Sequence, residues 1–341
     1  MLPLPGLTFA PVPVAASVEE LLGHITDRRA MKTGDSKSGS TFELIQAGAA
    51  RYVVKHMHVD NDWIQRCVGD LVGLPLTAWR AGLLAAVPDE IDHVTVGCVA
   101  GEGRDGLGSA LVLHDVGAHL VPEGDAKLPL AQHRAFVQHM AALHARFWGF
   151  ADDRTLLLPR THRYLFFSAG MLEAEAERGW DSAVPVIAAK GWERFAAEVD
   201  PEIARAVLDL RDAPWPLVDA LAATPATLIH GDWKAGNLGS RPDGRTILLD
   251  WAYIGEGAGC SDLAWYLALN AARVPEAKEA AVDAYRSGLE ARGIATDTWF
   301  ERQWDLALLG ALVQFGWEKA LGSPAELDWW LAGARRGLAR L

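Results

Sequence analysis

The chain has 341 residues, half of them apolar and 22% charged; it is long enough for two lobes, each with its own core, and too apolar to be disordered. Its 44 Asp and Glu outnumber 32 Lys and Arg, a formal charge of −12, which argues against nucleic acid as the main partner and suits either a cationic small substrate or solubility alone. Three scattered cysteines (Cys67, Cys98, Cys260), with no Cys-x-x-Cys pair, exclude a disulfide framework and a zinc site of the usual spacing and fit a reducing cytoplasm. Residues 1–15 are Pro-rich, expected to lie extended, and lack the basic and apolar regions of a secretion signal. Ser17 with Glu20 reads as a capping box that opens a short helix. Strand-like runs at residues 30–33, 41–45 and 51–55, separated by turn-like stretches, predict an antiparallel meander. Residues 62–84 read mostly helical with a break at Pro75, and further strands are predicted at 93–99 and 110–114. From Pro129 onward the apolar spacing is helical, at residues 130–148, 172–178, 192–210, 263–271, 276–292 and 299–320. The apolar stretch at 306–313 is too short to cross a membrane.

Chemistry concentrates in Leu228-Ile229-His230-Gly231-Asp232-Trp233-Lys234-Ala235-Gly236-Asn237 and in Ile247-Leu248-Leu249-Asp250-Trp251. An apolar strand delivers a His-Gly-Asp turn, and Asn237 follows five residues after Asp232. A polar turn then leads, as one hairpin, into a second apolar strand that ends on Asp250. A single Asp after a strand is most often a turn residue. The joint pattern is what phosphoryl transfer needs: Asp232 to orient the attacking hydroxyl and take its proton, Asn237 and Asp250 to hold Mg2+ over the phosphates.

His-Gly-Asp-x-x-x-x-Asn followed by apolar-Asp-Trp is similar to the catalytic and metal-binding loops of the aminoglycoside phosphotransferase and choline kinase group, which shares the protein-kinase-like fold. Asp250-Trp251-x-x-x-Gly255-x-Gly257 and Ser261-Asp262-Leu263-Ala264 follow that group's spacing, and Leu143-His144-Ala145-Arg146-Phe147-Trp148 resembles its pre-catalytic helix. Together these motifs span roughly residues 30–270. The resemblance implies an α+β, two-lobed fold: a β-rich N-lobe, residues 1–116, with a five-stranded antiparallel sheet and a helix, and a mainly helical C-lobe, residues 117–341. It implies Asp232 as base, His230 as a brace, Asp262 as an acceptor for backbone near the catalytic loop, and His144 as a histidine satisfied in the core.

Lys234 departs from the group's pattern, in which many members carry His two residues after the base. It reads either as a solvated lysine or as a catalytic one reaching the γ-phosphate. Lys55, ending an apolar strand, takes the place of the phosphate-binding lysine of kinases. Residues 61–80 contain no Glu to pair with it, which leaves Asp70 as its expected partner. The loop at 34–40, including Ser38 and Gly39, lacks Gly-x-Gly-x-x-Gly but can offer backbone N–H groups to phosphates; a plain hairpin turn accounts for it as well. His114 and Val116 lie where this fold offers backbone groups to a purine. Glu256 is placed to face an acceptor. Trp299, Trp304, Trp317, Trp329 and Trp330 serve either as helix packing or as an aromatic cage for an ammonium group.

The expected activity is Mg2+-dependent transfer of the γ-phosphoryl group of ATP or GTP to a hydroxyl of a small molecule. The acceptor expected first is an antibiotic, aminoglycoside-like or nucleoside-like; the alternative is a metabolic kinase of an amino alcohol or sugar. A non-catalytic pseudokinase scaffold is disfavoured by the full set of base, metal ligands and lysine. Neither a nucleic acid nor a membrane is an expected partner, and a monomer or homodimer is expected.

Overall fold

The computed structural model describes residues 10–31, 37–102, 106–153, 155–179 and 182–341. Ser17 caps α1 (Val18–Leu22) as expected, its hydroxyl accepting from the Glu20 N–H at 3.1 Å, while the Glu20 carboxylate accepts from the Ala16 N–H at 2.7 Å, one residue before the cap. Five strands follow, β1 (Ile25–Met31), β2 (Thr41–Ala47), β3 (Ala50–Met57), β5 (Thr95–Glu102) and β6 (Gly108–His114), in the antiparallel order β1-β2-β3-β6-β5; the short β4 (Ile91–Asp92) belongs to another sheet. β1 starts earlier than the strand expected at 30–33, whose Lys32 and Thr33 lie outside the described residues. Its Asp27-Arg28-Arg29 shows no apolar alternation because β1 is an exposed edge.

Alternation along β3 sorts the two faces of the sheet. Val54 packs with Ile45, Val99, Ala110 and Val112 beneath α1. Val53, Lys55 and Met57 point to the other face and line a cleft. Between β3 and β4 run α2 (Trp63–Val68) and α3 (Leu74–Arg80). The break expected at Pro75 does not fall there: Pro75 stands in the first turn of α3, where its missing N–H costs nothing. The interruption falls instead at residues 69–73, where Gly69 ends α2 in a left-handed conformation.

The rest of the chain is mainly helical: α4 (Leu130–Arg146), α5 (His162–Leu165), α6 (Ala169–Glu177), α7 (Ala183–Glu198), α8 (Pro201–Asp212), α9 (Trp215–Ala222), α10 (Gly259–Leu269), α11 (Lys278–Glu290), α12 (Phe300–Leu321) and α13 (Pro324–Leu338). The single helix expected at 192–210 is two, because Asp200 caps a new start and Pro201 opens it. α12 is buried on nearly every face, with α13, α7 and α10 packed around it. The large helical core surrounds it. The C-terminal tryptophans belong to this packing and none of the five lines the cleft; the cage reading is therefore set aside. Among the described residues no helix is long and apolar enough to cross a membrane.

Two small sheets set into the helices carry the motif residues. β7 (Thr227–Ile229) pairs with β10 (Gly255–Gly257), while β8 (Leu238–Ser240) and β9 (Thr246–Leu248) form the hairpin, with β4 on the outer side of β9. The polar turn at 241–244 closes the β8–β9 hairpin, which joins the two halves of the motif as expected, while β7 ahead of it pairs with β10.

Candidate active site

β7 delivers His230, Gly231 and Asp232 into a tight turn. Gly231 has φ +82°, and a Cβ there would strike Arg163, the carbonyl of Tyr253 and the Tyr253 side chain. Only glycine fits. The turn's backbone is held by Asp262 of α10, whose two carboxylate oxygens accept from the His230 and Gly231 N–H groups, each at 2.8 Å. His144 Nε2 lies 3.2 Å from the same carboxylate, and its Nδ1 lies 2.7 Å from the Tyr285 hydroxyl, so this histidine is satisfied in the core. His230 accepts from the Asp232 N–H at Nδ1 (3.1 Å) and donates from Nε2 to the Leu249 carbonyl (3.0 Å). Burial, the largest influence, holds its imidazole below the usual pKa and hence neutral. It ties the Asp232 turn to the strand end at Asp250.

Asp232 is 2% exposed. Its Oδ2 accepts from Asn237 Nδ2 and from Lys234 Nζ, both at 2.8 Å; its Oδ1 accepts from the indole N–H of Trp265 at 3.0 Å. Burial pushes its carboxyl above the ordinary carboxylate range, with the Lys234 charge acting the other way. Asn237 Nδ2 also donates to the Asp232 carbonyl at 3.0 Å. With the amide nitrogen given to two acceptors, its Oδ1 is left as an oxygen donor for a cation.

Asp250 follows β9 with φ +61°, a left-handed backbone conformation uncommon outside glycine and tolerated best by Asp and Asn. Such strain clusters at functional positions. Burial alone would raise its carboxyl; Lys55 and then Lys234 hold it below the usual value. Lys55 Nζ bonds Asp250 Oδ1 at 2.8 Å. This corrects the expected Lys55–Asp70 pair. Asp70 turns away to accept the N–H groups of Gly73 (2.8 Å) and Leu74 (2.7 Å), fixing the entry to α3. The acid of α2 whose charge acts on Lys55 is Asp62, which the sequence reading passed over. Asp62 caps α2 and accepts the Ser40 hydroxyl at 2.9 Å.

One cleft of about 410 Å³ collects Lys55, Asp62, Asp70, Ser38, His114, Val116, Asp232, Lys234, Asn237 and Asp250 between the sheet and the helices. Of the loop at 34–40, Gly34, Asp35 and Ser36 lie outside the described residues. Gly39, at φ +106°, turns the side where a Cβ would stand toward the Asn61 carbonyl, leaving no room for one, and does not line the cleft. Glu256 stands apart from the cleft: its carboxylate is taken by the Arg160 guanidinium and by the Asp152 N–H. A second cavity, about 20 Å³, lies beside it.

α2 is fastened to the helical region by Arg66, whose Nε and Nη2 each meet a Glu175 oxygen of α6 at 2.7 Å. This pair, Asp62 and Trp265 were not singled out from sequence. Trp265 stands one helical turn beyond Asp262, a spacing that puts the two on one face of α10.

A buried Asp on a glycine turn, an Asn and a second Asp beside it, and a strand lysine across a cleft make the constellation of a phosphoryl-transfer enzyme. The family model described as the phosphotransferase enzyme family matches residues 35–299, and the chain belongs to that family. It is a phosphotransferase of α+β architecture, with a five-stranded antiparallel sheet followed by a mainly helical region. Solved structures similar to it include choline kinase LicA from Streptococcus pneumoniae (14% identity, covering 95% of this chain and 96% of that one, TM-score 0.49). An aminoglycoside-3'-phosphotransferase of type VIII aligns at 19% identity over 84% and 92% of the two chains, TM-score 0.46. Macrolide 2'-phosphotransferase MphH from Brachybacterium faecium aligns at 14% identity over 93% and 95%, TM-score 0.45. No curated protein matches the sequence significantly.

Proposed function

We propose that the protein transfers the γ-phosphoryl group of ATP or GTP to a hydroxyl of a small molecule, with Asp232 as the base. The observation that carries this reading is the convergence of Asp232, Asn237, Asp250 and Lys55 on one cleft from three separate parts of the chain. Residues 1–116 form the nucleotide-binding lobe and residues 117–341 the lobe that brings catalytic loop and acceptor together. His114 N–H is engaged with the Val94 carbonyl, and the Val116 carbonyl accepts from His119. The groups they offer a purine are therefore the His114 carbonyl and the Val116 N–H. Ser38 faces the phosphates.

The donor set for a cation is one carboxylate, Asp250, and one amide oxygen, Asn237. That set suits Mg2+, which takes few protein oxygens and completes its shell with phosphates and water. When bound, the ion neutralises charge on the β- and γ-phosphates. Lys55 holds the phosphates in register, and Lys234 offsets charge as the γ-phosphoryl group departs. Asp232 aligns the acceptor oxygen and takes its proton; the raised carboxyl favours that uptake. Most of the rate comes from positioning and charge neutralisation.

For the acceptor, an antibiotic of aminoglycoside-like or nucleoside-like chemistry comes first, supported by the acidic lining of the cleft, where Asp62, Asp70, Asp115, Glu123, Asp232 and Asp250 outnumber Lys37, Lys55 and Lys234. An amino alcohol or amino sugar fits the same lining and is the second reading. The proposed nucleotide donor supports a cytoplasmic reading of the enzyme.

The test is a phosphate-transfer and thermal-shift panel of aminoglycosides, nucleoside antibiotics, choline-like alcohols and sugars, with ATP and GTP in parallel and with or without Mg2+. A Mg2+-dependent product lost in Asp232→Ala is the expected result. Transfer that survives Asp232→Ala, or no transfer to any acceptor, overturns the reading.

A further inference from the structure

We infer that Trp265 is a positioning residue for the base: its indole N–H fixes the aim of the Asp232 carboxylate. The inference rests on the proposed role of Asp232. An aspartate's χ2 is a broad torsion with no sharp staggered minimum, so a buried base keeps its aim only through the donors that hold its oxygens. Asp232 Oδ2 has two, Asn237 and Lys234, and Oδ1 has Trp265 at 3.0 Å.

The three donors differ in permanence. Lys234 belongs to the cleft and is proposed to meet the γ-phosphate, which draws it toward the nucleotide during turnover; Asn237 holds Oδ2 through Nδ2 and is proposed to meet the cation through Oδ1. Trp265 belongs to the core. It is 5% exposed, and its ring sits among Phe315 (4.7 Å between centroids), Tyr253 (5.6 Å) and Phe166 (6.1 Å). Packed on those sides, the indole is held in place by its neighbours rather than by the cleft.

Its place on α10 adds a second function to that helix. Asp262 and Trp265, three residues apart, lie on one face. Asp262 holds the backbone of the Gly231 turn, and Trp265 holds the side chain that the turn presents. One helix face therefore sets both where the base stands and which way it points.

Two variants test this. Trp265→Phe removes the N–H and keeps an aromatic ring; 3-benzothienylalanine installed at position 265 keeps the indole's shape and replaces N–H by sulfur, which guards against a packing defect. Trp317→Phe is the control, since the Trp317 indole N–H is buried without a partner. The activity readout is Asp232-dependent turnover of Mg-ATP, with the acceptor from the panel or with water in its place. Both position-265 variants lose about tenfold or more in kcat, the worth of one hydrogen bond to a charged group, with KM for ATP within about twofold. The Trp317 control keeps wild-type kcat.

The spectral readout uses protein labelled with 15N in tryptophan. The Trp265 indole cross-peak, assigned by its loss in Trp265→Phe, moves in Asp232→Asn while that of Trp317 stays. A benzothienylalanine variant with wild-type kcat, or a Trp265 cross-peak unmoved in Asp232→Asn, overturns the inference. A wild type without turnover overturns the kinase reading instead, and the spectral arm still decides whether Trp265 holds Asp232.

Discussion

Replacing Asp262 by Asn keeps the side chain's shape and removes one of its two acceptor oxygens. In the native turn one oxygen takes the His230 N–H and the other the Gly231 N–H, each at 2.8 Å, at a site only 1% exposed. An amide can serve one of these donors; its NH2 group then faces the other. The loss combines one charge-assisted hydrogen bond, about 1.5–3 kcal/mol, with a buried N–H left unpaired, about 1–3 kcal/mol. A destabilisation of about 3–5 kcal/mol follows, a large share of the roughly 5–15 kcal/mol that holds a typical domain. Urea unfolding measures it as a lowered midpoint with unchanged m-value. Because the same turn carries Asp232, kcat falls by about 100-fold or more even where the protein remains folded. A loss below about 1 kcal/mol would refute the reasoning, since it would mean the turn holds its shape without the carboxylate.

Arg66→Met strands the buried Glu175 carboxylate and costs about 3–5 kcal/mol, whereas Glu175→Leu costs less because Arg66 keeps the Val59 and Asp60 carbonyls, and adding Glu175→Leu to Arg66→Met recovers part of the loss; thermal denaturation of all three variants checks it. Gly231→Ala forces a left-handed backbone and a clash with Arg163 and Tyr253, so it lowers the unfolding midpoint and abolishes transfer; an alanine variant with more than half of the wild-type kcat contradicts this. Burial holds the His133 and His139 imidazoles below their ordinary value. Their depressed folded-state pKa makes the unfolded chain bind more protons, so the stability they contribute is whole above about pH 6.5 and is lost as pH falls below it. Urea midpoints measured from pH 8 to pH 5 decline over that window, less steeply in a His139→Gln variant.

What the sequence disclosed was local. The Gly231 turn, the spacing of Asp232 to Asn237 and the strand ahead of Asp250 are short-range patterns, and each element type followed from its own periodicity. The misreadings share a different origin. β1 escaped because an exposed edge strand needs no apolar alternation; Pro75 was read as an interruption and Pro201 was passed over inside one helix, where each begins a helix. The partners of the key side chains are set by tertiary contact between distant segments. Lys55 meets Asp250 across the cleft, Arg66 meets Glu175, and the indole of Trp265 reaches Asp232 from a helix whose sequence reads as plain core. No periodicity encodes which distant residues meet, so Asp70 was a reasonable partner for Lys55 on spacing and the wrong one in three dimensions.

The contacts around α2 have a consequence for how the cleft fills. The Trp63 indole donates to the Lys37 carbonyl at 2.6 Å, Asp62 holds Ser40, and Arg66 anchors the helix to Glu175 of the helical lobe. The segment at residues 37–40, which the proposed function sets over the phosphates, is thereby stitched, through α2, to the helices beneath. A roof fastened in this way gives up its conformational freedom when the chain folds, so a nucleotide arriving later meets a surface already ordered and spends little of its binding energy on arranging it. Severing the stitch at Arg66 would shift that ordering cost onto the ligand, weakening nucleotide affinity from a residue that does not line the cleft.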